Sequence, residues 1–222
     1  MRPWSKFPTW WYRQPEGGLP LLVGGTNAGT SQAALRVLLA LGAADRPADS
    51  FISDVSLSNL EDLTTLSRSM VVKGIQGAVA HRLISYDAGR QGTKSRFELL
   101  RTDNDHLGGW AKLPIEPVRT RIPRITHRGD VALAALKIYL TLIAARPNNN
   151  SVVSLRHDTL RLKTGCQTRH VRSAISLLAN EGLLHVVQEE DVGDVSGHYR
   201  AQRYAITGRL EAPRRWNEEP ND

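Results

Sequence analysis

The sequence predicts a mainly α-helical protein with small β-hairpins, an α+β fold laid out twice along one chain. Three observations carry that expectation. MVVKGIQGAVAHRLI (70–84) aligns with HVRSAISLLANEGLL (170–184), so that Val71 matches Val171, Gly74 Ala174, Ile75 Ile175, Ala78 Leu178, Leu83 Leu183 and Ile84 Leu184. Upstream, ALRVLLAL (34–41) aligns with ALKIYLTL (135–142). After each third helix come two extended runs around a polar turn, ISYDAGRQGTKSRFELLR with Gly89 and Gly92 at its tip, and LHVVQEEDVGDVSGHYRAQRYAIT with Gly193 and Gly197. Self-similarity at one spacing is the mark of a repeated structural unit.

The elements follow in order. LPLLVGGTNAGTSQAAL (19–35) has Gly24, four residues, Gly29, Thr30 and Ser31 between two apolar runs, the setting of a phosphate-binding loop. Thr30 stands where such a loop carries Lys, so the point charge for the phosphates is missing. The reading taken is a Gly-rich turn in which Thr30 or Ser31 caps the helix over 31–44. Phe51 to Leu57 alternates as a strand toward Asn59, expected to cap a short helix; SVVSL (151–155) leads in the same way to Asp158. In the third helices, apolar steps of three and four place Val71, Ile75 and Ala78, and Val171, Ile175 and Leu178, on one face.

These elements set the expected boundaries: an N-terminal segment (1–28) packed on the first unit, a first unit (29–102), an Arg- and Pro-containing linker (103–129), a second unit (130–208) and a frayed polar tail (209–222). Each unit is large enough to fold alone. Pro114, Pro117 and Pro123 keep the linker from being helical throughout, and GWAKLPIEPV within it reads as a strand. Arg119, Arg121, Arg124 and Arg128 either track phosphates between units or are simply solvated.

Composition narrows the function. The net charge of +7 and a pI near 9.9 favour a polyanionic partner. The single cysteine, Cys166, allows no internal disulfide and no Cys cluster, and the seven histidines have no metal-ligand spacing, so no metal or other cofactor is expected. Met1-Arg2-Pro3-Trp4 does not open a leader, and the apolar runs are broken by Arg36 or Lys137, so no membrane partner is expected and the cytoplasm is. No nucleophile, base and orienting group come together in neighbouring sequence; no enzyme activity and no nucleotide ligand are expected.

LSRSMVVKGIQGAVAHRLI and TGCQTRHVRSAISLLANEGLL both resemble the helix-turn-helix and recognition helix of winged-helix DNA-binding proteins. The second copy keeps Gly165 at the turn and Gly182 at the helix end; the first has Thr65 and Arg82 there. Two such units in one chain, with AALKIYLTLIAARPNNNSVVSL running helix, turn, strand, resemble the replication initiators of plasmids and related mobile-element regulators. The resemblance implies two tandem winged helix-turn-helix domains, a double-stranded DNA partner, and a bacterial nucleoid- or plasmid-associated location.

With Val71 and Ile75 inward, Arg68, Ser69, Val72, Lys73 and Gln76 face outward; the equivalent set is Thr168, Arg169, Arg172, Ser173 and Ser176, with His170 at the edge. In the resembled family such residues meet base edges in the major groove, where Arg and Lys suit guanine and Gln suits adenine. Arg90, Lys94 and Arg96 make the first hairpin basic and suited to phosphates. The second carries Glu189, Glu190, Asp191 and Asp194 ahead of His198, Arg200 and Arg203; its acidic tip points away from DNA or meets a protein, a homodimer mate included, while Arg200 and Arg203 reach the backbone. Trp4, Trp10 and Trp11 pack the N-terminal segment or stack on unpaired bases; packing is the reading taken. The expected function is sequence-specific DNA binding that controls transcription or replication of a mobile element. The alternative is a winged-helix scaffold for protein assembly.

Overall fold

Two long helices, α2 (Ala28–Ala43) and α6 (Asp130–Ala145), are buried almost all round and pack against each other at the centre of the protein. A helix apolar on every face has to be enclosed. The computed structural model describes residues 2–13, 18–47, 50–89, 94–101, 109–187 and 201–210. Arg90, the second hairpin's acidic run with His198 and Arg200, and the tail from residue 211 lie outside the described residues.

The chain begins with β1 (Trp4–Pro8) and the single turn α1 (Trp10–Arg13), then reaches α2 through the 3-10 turns Leu19–Leu21 and Gly25–Asn27. Next come β2 (Ile52–Val55), α3 (Leu57–Thr64), α4 (Arg68–Ala80), β3 (Ile84–Asp87) and β4 (Ser95–Leu99). The second half opens with β5 (Trp110–Pro114), α5 (Ile115–Thr120) and the 3-10 turn Ile122–Arg124, which lead into α6. It continues with β6 (Val152–Leu155), α7 (His157–Thr164), α8 (Thr168–Asn180), β7 (Leu184–Val187) and β8 (Gln202–Ile206). The strands form two antiparallel three-stranded sheets, β2-β4-β3 and β6-β8-β7, and the ribbon β1-β5. The fold is α+β. No helix among the described residues is long and apolar enough to cross a membrane.

The two halves solve their local problems alike. Thr64 and Thr164 end α3 and α7 by donating to the carbonyls of Leu60 and Leu160, at 2.5 and 2.6 Å, and accepting from the amides of Leu66 and Cys166. The next residue turns left-handed in both, Thr65 at φ 56° and Gly165 at φ 65°. After the third helices, Arg82 at φ 54° matches Gly182 at φ 68°. A side chain in that region costs about 1 to 2 kcal/mol relative to glycine, so the first half keeps the same turns at some expense.

Three expected caps are corrected. Ser56, not Asn59, caps α3; its hydroxyl accepts the Asn59 amide at 3.1 Å. Asp158 lies in the first turn of α7, one residue inside its start. Thr30 and Ser31 lie inside α2, where the Ser31 hydroxyl donates back to the Val23 carbonyl at 2.7 Å. In each case the helix begins earlier than the last good capping residue suggests.

The N-terminal segment touches both halves. Trp10 and Trp11 are buried, the Ser5 hydroxyl donates to Gly42 O of α2, and Lys163 Nζ of α7 donates to Tyr12 O at 2.9 Å. In the linker, Arg119 is a structural residue: it donates to Ala43 O at the end of α2 and pairs with Asp45 at 2.9 Å. Arg121 donates to Gly182 O behind α8. Cations at these helix ends meet unpaired carbonyls and the negative end of the dipole.

Candidate nucleic-acid interface

Across eleven consecutive positions, 68–78 and 168–178, the alternation of buried and exposed residues is identical in α4 and α8. Val71, Gly74, Ile75 and Ala78 are buried, as are Val171, Ala174, Ile175 and Leu178. Gly74 allows the closest approach: a Cβ there would come within 2.7 Å of Ala33 O on α2. Arg68, Ser69, Val72, Lys73 and Gln76 are all exposed, as are Thr168, Arg169, Arg172, Ser173 and Ser176; His170 is half-buried. The geometry thus presents each expected set on one open face.

The two faces differ in charge. Beside α8 lies an open groove of about 330 Å³, lined by Thr168, Arg169, Arg172 and Ser173 from α8 and by Asp158 and Arg161 from α7. Arg169 Nε donates to His170 Nε2 at 3.0 Å, which steadies the guanidinium at the start of the helix. Asp158 is 3.9 Å from Arg161 Nε and strongly exposed, so it offsets little of the cationic field. In the first half the position of Arg161 is taken by Glu61, and Arg68 Nη1 lies 3.4 Å from its carboxylate. That pairing draws Arg68 toward α3. Lys73 and Gln76 remain the outward polar groups best placed on α4.

Arg161 was not anticipated. Setting LSNLEDLT above HDTLRLKT would have exposed the exchange of Glu61 for Arg161. Cross-strand register adds a second feature that short-range sequence cannot supply. Arg96 lies on the central strand β4, opposite Asp54 of β2 and Asp87 of β3. The two acids weaken the positive potential that Arg96 and Lys94 were expected to offer. Arg203 of β8 is exposed and lies opposite Ser154 and Val187, with no acid in either partner position.

Two buried cations on the long helices bind backbone carbonyls of neighbouring segments. Arg36 of α2, only 1% exposed, donates to the carbonyls of Ile122, Ile125 and Thr126. Its counterpart Lys137 of α6, 3% exposed, donates to Thr164 O at 2.8 Å, at the turn that launches α8. Burial depresses both pKa values, that of Arg36 to about 10. Burial also raises the Cys166 thiol, making it a poor nucleophile at neutral pH.

The Gly-rich loop is engaged within the chain. Gly25 N–H donates to Asp130 Oδ1 at 2.7 Å, so the amide a phosphate would need already holds a carboxylate. A Cβ on Gly24 would come within 2.5 Å of the same oxygen.

Compared with known proteins, the chain matches no family model and no curated protein.

Proposed function

We propose that this chain is a sequence-specific double-stranded DNA-binding protein built from two tandem winged helix-turn-helix units, controlling transcription or replication of a mobile element such as a plasmid. The observation that carries the reading is the exposed start of α8, where Arg169 and Arg172 flank a groove that also holds Arg161. Such a helix projects its first residues toward base edges, and Arg pairs bidentately with guanine O6 and N7. The helix, strand, two helices and two strands of each half, with sheet order β2-β4-β3 and β6-β8-β7, support the winged-helix assignment.

On this reading α8 is the principal reader and α4 contributes through Lys73 and Gln76. Lys94, Arg96 and Arg203 meet phosphates, Arg203 under the least acidic competition. The carboxylate of Asp130 at Gly25 argues against a nucleotide in the Gly-rich loop. Footprinting of the purified full chain on DNA flanking its own gene tests the proposal: one protected operator marks a promoter regulator, and an array marks an origin. No sequence-dependent protection anywhere in that DNA would reject the reading in favour of a protein-assembly scaffold.

A further inference from the structure

Arg169 and His170 are the second and third residues of α8. Consecutive helical residues point about 100° apart, so their side chains do not meet by default. Here the arginine folds back: its Nε–H donates to His170 Nε2 at 3.0 Å. A guanidinium never accepts, so the imidazole nitrogen must. His170 is therefore the neutral tautomer with its proton on Nδ1, since an imidazolium has no acceptor left.

The imidazole is itself anchored. It is half-buried in a cleft of about 360 Å³ between α6, the turn at residues 165–167 and the loop at Gly24 and Gly25. Arg169, by contrast, is exposed and lines the groove beside α8 with Arg161, Arg172 and Asp158. Two like charges and one acid would draw so long a side chain off course. The first half shows the outcome without a buttress. There Ser69 and Met70 occupy the two positions, and the arginine one place earlier, Arg68, leans on Glu61 at 3.4 Å.

The bond also selects which edge of the guanidinium is offered. Nε carries one N–H and each Nη two, so paired donors exist on the side edge, which includes Nε, and on the end edge formed by the two Nη atoms. His170 occupies the Nε–H. The end edge stays open, and two parallel donors are what guanine O6 and N7 accept in the major groove.

We infer that His170 is a positioning residue for base recognition: it holds Arg169 end-on toward one guanine, and does so only while neutral. The inference rests on the DNA reading above. Protonation removes the acceptor and sets a second cation beside the guanidinium, releasing Arg169 to solvent or to Asp158. The charged groups that share the cleft from α6 are Asp130, whose Oδ1 accepts the Gly25 amide at 2.7 Å, and Lys137, which donates to Thr164 O at 2.8 Å. The Cys166 thiol at the turn is kept protonated by burial. From the groove side come His157, Asp158, Arg161 and Arg172. The acids favour an imidazolium and the cations disfavour it, but neither restores the acceptor at Nε2. Histidine is the side chain that changes charge between about pH 5 and 8, so recognition through Arg169 weakens on acidification while attraction to phosphates does not.

The probes are the most enriched duplex that the full chain selects from a random pool, its single-base variants and a scrambled duplex. Loss of preference in Arg169→Ala and in Arg172→Ala locates the base each arginine reads. His170→Met, the exchange already present at Met70 of the first half, should lower discrimination at the Arg169 base by about three- to tenfold, the cost of ordering one long side chain. Discrimination at the Arg172 base and binding to scrambled DNA should not change. His170→Gln supplies an acceptor that does not titrate. Between about pH 7.5 and 5.5 wild type should show an equal loss at the Arg169 base, and His170→Gln none. Full discrimination in His170→Met, parallel pH profiles for wild type and His170→Gln, or equal losses at the Arg169 and Arg172 bases would overturn the inference while leaving the DNA reading intact. A pool in which nothing is enriched, or no base at which Arg169→Ala relaxes preference, would overturn reading by Arg169, and this inference with it.

Discussion

Replacing Gly182 with Ala isolates one backbone turn behind α8 and allows its energetics to be worked out. At φ 68° a Cβ costs about 1 to 2 kcal/mol, while the stiffer unfolded chain returns about 0.4 to 1 kcal/mol. The new methyl would lie 2.5 Å from Arg121 Nη1, so the guanidinium that donates to Gly182 O has to move. Losing a hydrogen bond from a charged donor costs about 1.5 to 3 kcal/mol, and the lower end applies because Arg121 is half-exposed. The net destabilisation is about 2 kcal/mol. For a chain of this size that lowers Tm by about 4 to 8 °C. Arg82→Gly is the mirror experiment: φ is 54° and the side chain is exposed, so relief of strain should outweigh the entropy of the added glycine and stabilise by about 0.5 kcal/mol. Urea titrations followed by circular dichroism, with unchanged m values, measure both. A Gly182→Ala protein within about 0.5 kcal/mol of wild type, or an Arg82→Gly protein destabilised by about 1 kcal/mol, would refute the argument.

Arg169→Ala and Arg172→Ala should each weaken a cognate duplex by about 1 to 3 kcal/mol and leave scrambled DNA much less affected, whereas Lys94→Ala should weaken both and lower the salt slope by about one. Arg96→Ala should do less than Lys94→Ala, because Asp54 and Asp87 flank it; anisotropy titrations at several salt concentrations compare them. The pKa of His127 is lowered from 6.5, first by burial and then by the Arg36 cation, so below about pH 6.5 the unfolded chain binds more protons and stability falls as pH falls. Thermal melts between pH 7.5 and 5.5 should show a shallower loss for His127→Gln than for wild type. Equilibrium dialysis with magnesium and ATP or GTP should detect no stoichiometric complex, since Asp130 holds the Gly25 amide. A fragment of residues 109–210 should melt well below the full chain, because β5 loses its partner strand, Gly165 loses Pro20 and Lys163 loses Tyr12.

The long helices and the outward faces of α4 and α8 were legible because apolar periodicity over four turns is a local signal, and Val71, Ile75, Val171 and Ile175 fall inward as their spacing predicts. Helix starts were less so: Asn59 was expected to cap α3, and the hydrogen bond from its own amide to the Ser56 hydroxyl puts the cap three residues earlier. What joins Arg96 to two acids, Arg121 to Gly182 and Asp130 to Gly25 is register and long-range packing, for which neighbouring residues carry no information. The paired WSKFP and WAKLP strands were present in the sequence, but five-residue segments with three identities yield little signal until their pairing is known.

That ribbon also sets a timetable for synthesis. β1 leaves the ribosome among the first residues described, yet β5, its only described strand partner, follows about a hundred residues later. At roughly 5 to 20 residues per second, Phe7 and its unpaired strand wait about 5 to 20 s for Ala111 and Leu113. During that interval the nascent first half has both edges of an apolar-faced strand open, a natural binding site for a chaperone, and the two halves can close around their shared core only after the second strand has emerged.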